Sequence, residues 1–402
     1  MNMKSFARRT SRRCAFLGQS RWALLVATVV SAAPALALDD RYQLTASGDI
    51  SSDDNLTRTG GGIPRLSDVL TTARVAASAT LPDGLRSYSL GANVSQVRYA
   101  RFTQQDYTAF GFNAGLSEAI GRDVQVELVL SQSQSLLPLN NFQALVRDVV
   151  TTRNESLQLR EAMDARWSVV EAVALAQTIN SIGSLDYNDQ NVATVSAGLD
   201  YRLASGSGGT VSVIRSTSSY PYLTSLPGVP DPSYQDTRLD GKLDWPVTPI
   251  TTVHADVAGT HRSYNQLPAQ NFNGLVGSVS ADLAPGGPWS MGILISHDLG
   301  GTGTLASRVL TSDTLDWHGS LAWGALWSSN ARLAEVNRHY SVDQPGFPAH
   351  QETSRQWSLA NNYQPRRWLT LSLSLAGEVQ RSNPGLYAFV DHRVTFGVTV
   401  QP

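Results

Sequence analysis

The sequence predicts an all-β chain folded as a transmembrane up-and-down antiparallel β-barrel of about eighteen strands. Three observations carry that expectation. In Trp368 to Gln380, Leu369, Leu371, Leu373, Leu375 and Val379 alternate with Thr370, Ser372, Ser374, Glu378 and Gln380. Side chains alternate across a strand with period two, so this stretch has one apolar and one wet face, where a helix would spread its leucines around the axis. The same alternation recurs through the chain without helices to cover it. Composition agrees: 16% charged residues, 32 glycines and a mean hydropathy of -0.16 are low in charge for a soluble enzyme and rich in turn formers. A spanning strand shows only alternate residues to lipid, so a barrel crosses a membrane while looking polar on average.

Residues 1-37 read as a secretory signal peptide. Lys4, Arg8, Arg9, Arg12, Arg13 and Arg21 form a basic start, Trp22 to Val30 begins the apolar core, and Ala35-Leu36-Ala37 fits a small-x-small cleavage site. Residues 38-402 are then the barrel, with the first strand and an N-terminal loop in 38-67. Cys14, the single cysteine, leaves with the leader, which excludes disulfides, thiolate catalysis and cysteine-ligated metals from the mature chain. Of 31 basic and 33 acidic residues the leader removes six basic ones, and the net charge of about minus eight argues against a nucleic-acid partner. No other run of about 18 apolar residues exists, so no helical span is expected. Export without a retained helix, in a barrel-forming chain, points to the outer membrane of a Gram-negative bacterium, with its lipid as the immediate surroundings.

The strands then follow in order. Asp39 to Ser47 alternates Tyr42, Leu44 and Ala46 against Gln43, Thr45 and Ser47, and Ser51 to Gly62 reads as an irregular loop. Val69 to Leu81 and Arg86 to Arg101 flank Pro82-Asp83-Gly84; Asp106 to Ser117 and Asp123 to Ser135 flank Ile120-Gly121-Arg122. Short turns of this composition signal hairpins. Val150 to Arg160 and Arg166 to Gln177 read as strands or as helix, because Glu171 interrupts the apolar face. Asn191 to Leu203 and Gly209 to Ser218 meet at Ser205 to Gly208, Gln235 to Trp245 and Thr251 to Arg262 at Pro246 to Pro249, and Asn271 to Leu283 and Trp289 to Ser296 at Pro285 to Pro288. Leu315 to Trp327 places Trp317, Trp323 and Trp327 on one face, and Asn330 to Val342 follows Ser328-Ser329. Gln351 to Tyr363, Trp368 to Gln380 and Leu386 to Val400 close the chain. Tight turns and longer loops alternate, which puts both termini on the periplasmic side. Trp245, Trp289, Trp327, Trp357 and Trp368 stand near strand ends, as an aromatic belt requires.

If apolar faces meet lipid, the polar ones line the interior, because charges are costly in hydrocarbon. That rule places Arg238, Asp240, Lys242 and Asp244 at successive inward positions of one strand, His254 and Asp256 on the next, and Asp316 with His318 farther on. The resulting lining is polar and of mixed sign. It fits a water-filled lumen for small solutes, or a path for a polar polymer with Tyr220, Tyr222 and Tyr234 at the entrance. An enzyme acting on polysaccharide or lipid, or a plugged scaffold, are the other readings. Against catalysis, no Gly-x-Ser-x-Gly elbow or His-Glu-x-x-His motif accompanies His254, His261 and His318. No metal or cofactor site is expected.

The order of features resembles the EpsL-like family of outer-membrane β-barrels associated with exopolysaccharide operons. The resemblance rests on Asp53-Asp54-Asn55-Leu56-Thr57-Arg58, on Arg98 to Phe102 through Asp106-Tyr107, on Asn140-Asn141-Phe142 to Thr152, and on Ser218 to Tyr222. It implies a part in exopolysaccharide biosynthesis or export, with an extracellular polysaccharide and periplasmic export components as partners. It carries over no catalytic residues.

Overall fold

The computed structural model describes residues 41–60, 63–137, 145–300, 309–341, 350–383 and 387–402. The expected signal peptide, its cleavage site, and Asn140 to Phe142 lie outside these residues.

Eighteen antiparallel strands form one sheet: β1 (Tyr42–Asp53), β2 (Asp68–Asp83), β3 (Arg86–Tyr99), β4 (Tyr107–Ile120), β5 (Val124–Leu136), β6 (Val149–Ala162), β7 (Trp167–Ile179), β8 (Gln190–Arg202) and β9 (Gly208–Ser219) make the first half. The second half is β10 (Tyr234–Thr248), β11 (Thr251–Tyr264), β12 (Phe272–Leu283), β13 (Trp289–Gly300), β14 (Val309–Ala322), β15 (Trp327–Ser341), β16 (His350–Arg366), β17 (Leu369–Asn383) and β18 (Phe389–Val400). Each strand pairs with its sequence neighbours, and β1 pairs with both β2 and β18, the latter from Ala46–Val400 to Asp53–Arg393. The sheet is therefore closed: a transmembrane up-and-down barrel. Among the described residues no helix is long and apolar enough to cross a membrane; the strands cross instead. The tight turns, the start of β1 and the end of β18 share one rim, and the longer connections join strands at the other.

The two faces separate along most of the barrel. Val211, Val213, Leu239, Leu275, Ile295, Leu315 and Leu333 stand exposed around the outside, while Asp200, Asp240, Arg262 and Asp316, at alternate positions, are buried. A soluble protein does not display so continuous an apolar belt, but lipid solvates it. At the turn rim the belt ends in aromatics: Trp167 packs on Tyr201 (4.7 Å between centroids), Trp327 on Tyr363 (4.4 Å), and Trp245, Trp289 and Trp323 are exposed there. Trp368 sits at the same rim. Trp357 does not: it lies in mid-strand on β16, opposite Leu333 and Gly377.

Two boundaries differ from the expectation, and the segment that could have been strand or helix is strand. β1 runs on to Asp53, because Asp49, Ser51 and Asp53 alternate into the polar interior, and acidic residues there extend a strand rather than break it. The β14–β15 hairpin turns at 323–326, where the Trp323 N–H donates to the Trp327 carbonyl (2.9 Å), so Trp323 and Trp327 flank a turn instead of sharing one strand. β6 and β7 are strands, with Glu171 on the outer face between Leu159 and Ala197. In the tight turn that joins them the Asp164 carboxylate accepts the N–H groups of Arg166 (2.7 Å) and Trp167 (2.8 Å), which holds it below the usual carboxylate range.

The two faces make opposite demands on a charge. Val213→Arg, on the lipid face, is expected to destabilise the barrel by about 2–4 kcal/mol, whereas Ser212→Arg, one residue away and inward, leaves it near neutral. Urea midpoints of the heat-modifiable band on gels, compared for the two variants, check this.

Candidate functional site: the inner wall

Because the alternate face is exposed Leu239, Leu243, Val257, Leu315 and Trp317, all eight charged residues singled out in the sequence project inward. Their side chains join into a ladder that crosses strands. On β10 and β11, Lys242 Nζ lies 3.5 Å from Asp256, and His254 Nδ1 lies 2.6 Å from Asp244. The other nitrogen of His254 is 4.0 Å from Asp282 on β12, whose carboxylate is 3.5 Å from His318 Nε2 on β14. His318 Nδ1 in turn lies 3.9 Å from Asp316, which accepts from Arg332 on β15 at 2.5 Å. Arg238 reaches Asp236 at 3.4 Å, and Asp240 is buried beside them.

The step from Asp282 to His318 passes over β13, and Gly292 permits it. A Cβ there would lie 2.4 Å from Asp282 Oδ1 and 2.5 Å from His318 Cε1. A glycine inside a strand marks a close approach of other groups, here two side chains meeting across an intervening strand.

At the loop rim Arg262 is almost fully buried. Its guanidinium grips Asp236 through Nε (2.7 Å) and Nη2 (2.8 Å), and its other face lies 3.9 Å from the centre of the Tyr234 ring. Tyr234 and Tyr264 pack at 5.4 Å. A bidentate arginine-carboxylate pair is among the stronger polar contacts available to a protein. Of the loop tyrosines, Tyr220 is buried and accepts from Gln190 Nε2 (3.1 Å), and burial pushes its hydroxyl pKa upward. Tyr234 begins β10, and Tyr222 is the exposed member of the three.

The segment that carries the family resemblance forms a second cluster. Arg58 Nη1 lies 3.0 Å from Asp53 and 3.0 Å from Asp391 on β18, and Arg393 reaches Asp53 at 3.2 Å. Arg58 also bonds the Asn55 carbonyl, and it holds a left-handed backbone (φ 53°), uncommon for a side chain of this size. Asn55, with no exposed surface, donates to the carbonyls of Thr59 and Val390 (both 2.9 Å) and accepts from the Thr59 N–H. Leu56 inserts against Val97 and Tyr99. Asp54 faces the other way and binds His392 through its N–H (2.7 Å) and ring (3.0 Å). The carboxylates of Asp53, Asp54 and Asp391 come within 4.8 Å of one another, but Arg58 and Arg393 already supply the compensating charge, so the cluster is an arginine site.

Sequence reasoning missed Asp282, Arg332, Asp236 and Arg160, the last of which shares Asp200 with Arg202 and Thr210. Each stands at an inward position of its strand, so parity could have found it. His261, on the outer face, pairs with Asn273, away from His254 and His318. The two inward histidines contact carboxylates, which orient their rings along the wall.

No protein-family model matches the sequence, and no curated protein matches it. Solved structures do match in fold. OpdK of Pseudomonas aeruginosa with vanillate gives a TM-score of 0.53 at 9% identity, over 90% of this chain and 99% of that one. OccK2 (OpdF) of Pseudomonas aeruginosa in complex with glucuronate gives 0.53 at 12% identity, over 90% and 98%. The outer membrane protein OpdK of Pseudomonas aeruginosa in a further structure gives 0.51 at 8% identity, over 91% and 100%. At these identities the likeness is one of fold.

Removing the cation from the Arg58 cluster leaves Asp53 and Asp391 facing each other. Arg58→Gln is expected to cost about 3–5 kcal/mol, the usual penalty for breaking a buried pair, and to expose the 54–60 segment. Limited proteolysis and thermal unfolding in detergent read both effects.

Proposed function

We propose that the protein is an outer-membrane porin that passes small polar solutes through its lumen and favours those carrying a carboxylate. The observation that carries this reading is an asymmetry in the ion pairs of the inner wall. The Asp316 side chain is 7% exposed and its partner Arg332 58%; Asp53 is 3% exposed and its partner Arg393 46%. Arg202 and Asp200 repeat the arrangement. The carboxylates lie against the wall while the guanidiniums project into the water, so a passing solute meets arginine first although acids outnumber bases overall. Guanidinium offers a planar fork suited to carboxylate. Asp244, Asp256 and Asp282, open to the lumen near the turn rim, oppose that field locally and are partnered by Lys242 and the two histidines.

The two similar barrels solved with vanillate and with glucuronate each hold a carboxylate, which supports the solute class. An exopolysaccharide conduit, which the resemblance to EpsL-like barrels implies, draws less support. Tyr220 and Tyr234 are engaged with Gln190 and Arg262 instead of standing free to stack on a sugar chain.

Planar-bilayer recordings under a salt gradient test the proposal. Wild type should select anions over cations. Arg332→Gln with Arg393→Gln should lower that preference, and Asp244→Lys with Asp256→Lys should raise it. Cation selectivity in the wild type, or a preference unmoved by either pair, sinks the reading. Block of the current by long oligosaccharides but not by glucuronate would favour the polymer conduit.

A further inference from the structure

Several basic groups of the outer face are matched by carboxylates of the same face. Arg355 pairs with Glu335, His297 and His339 stand beside Asp313, and His392 beside Asp54. Two arginines on the loop half of β6 and β9 differ. Arg153 shares its parity with exposed Leu157, and Arg215 with exposed Val211 and Val213, so both project toward lipid. Among the described residues neither meets a carboxylate; their partners are amides. Arg153 donates from Nε to Gln132 on β5 (2.9 Å) and from Nη1 to Gln177 on β7 (3.3 Å), and Arg215 donates from Nη2 to Gln235 on β10 (2.8 Å).

Arginine only donates, so it sets the direction of the whole row. Gln132 and Gln177 must turn their carbonyl oxygens to Arg153, and Gln177 then gives its amide N–H to Asn191 on β8 (3.1 Å). Every side-chain carbonyl oxygen of the row is thereby taken, while Arg153 Nη2 has no acceptor among the described residues. The row is a strip of spare N–H groups across β5 to β8, and on its turn side it gives way to exposed Leu157, Val173, Leu175 and Val195. Glu155 interrupts that change. It is exposed on the same face, two residues nearer the turn rim than Arg153, opposite Leu130 and Leu175, and no ion pair reaches it among the described residues. A carboxylate at the edge of hydrocarbon is costly unless a donor meets it.

We propose that the outer face of β5 to β9 is a seat for the phosphorylated glycolipid of the outer leaflet, whose chains are attached through amides. Tight turns face the periplasm, so the loop half of this face lies in that leaflet. Arg153 and Arg215, at similar distances from the turn ends of their strands, take the phosphates, which suit a guanidinium fork. An acyl-amide N–H or a chain hydroxyl, just beneath the head group, donates to Glu155, and the chains lie on the valines and leucines below. Glycerophospholipids match this order poorly. Their ester links offer Glu155 no donor, and the ammonium of phosphatidylethanolamine lies on the water side of its phosphate, whereas Glu155 lies on the chain side of Arg153.

The delipidated barrel in detergent is titrated with bisphosphorylated lipid A, an N-acylated glucosamine disaccharide, and separately with phosphatidylglycerol, and bound lipid is read by native mass spectrometry. Wild type should retain lipid A about tenfold better than phosphatidylglycerol. Arg153→Gln with Arg215→Gln should lower lipid A retention about tenfold, as loss of charge-assisted bonds does, and Arg381→Gln, an outer-face arginine of β17 on the opposite side of the barrel, should leave it unchanged. Glu155→Leu should lower lipid A retention about threefold without lowering that of phosphatidylglycerol. No loss in the double variant, or an equal loss with Arg381→Gln, overturns the seat. Equal retention of the two lipids by wild type, or no effect of Glu155→Leu, overturns the glycolipid assignment. Reversal potentials stay at wild-type values in all of these variants, because the residues face away from the lumen, so the seat and the anion preference of the pore fail separately.

Discussion

The closed hydrogen-bond ladder is what the remainder of the molecule depends on. In lipid a backbone amide has no solvent partner, so a sheet that crosses the membrane must leave no free edge. Here β1 meets that demand by pairing with β2 on one side and β18 on the other. Once the sheet is closed, odd and even positions cease to be a local matter. Every strand contributes one residue set to a common exterior and one to a common interior, and the chemistry of each is fixed by its solvent.

The interior could have been lined with uncharged amides and hydroxyls. It is instead lined with charges whose positions are tied to one another across five strands, from Asp244 through His254, Asp282 and His318 to Arg332. Pairing across strands lowers the cost of holding each charge near the low-dielectric wall. It also fixes the direction in which the longer arginines extend. The functional reading follows from this geometry and not from the net charge, which by itself points the opposite way.

Much of the fold was legible in the sequence because side-chain parity is a local signal. Arg238 to Asp244, His254, Asp256, Asp316 and His318 could be assigned to the inner face from their own strands alone. What parity does not carry is contact between strands that are not neighbours. Nothing in the sequence near Asp282 or His318 says that they meet, since the contact depends on the missing side chain at Gly292 on the strand between them. The same local signal misled at the end of β1, where acidic residues alternating inward look like a loop. It also gave no view of Arg58, whose partner Asp391 is brought to it only when the barrel closes.

That last contact bears on how the chain reaches its final state. Asn55 bonds the Val390 carbonyl, Arg58 pairs with Asp391, and Gly60 runs so close to Ala388 that a Cβ would lie 1.8 Å from its carbonyl oxygen. The segment after the first strand is thus shaped by the start of the last one, more than three hundred residues away. Leu56 can pack on Val97 and Tyr99 of β3 earlier, but the bonds of Asn55 and Arg58 wait for β18, and contacts at such sequence separation form late and at high entropic cost. The order of nascent structure is therefore inverted: the part of the barrel synthesised earliest after β1 is among the last to complete its contacts, and a chain cut short before β18 would leave Asn55 and Arg58 without their partners on the last strand.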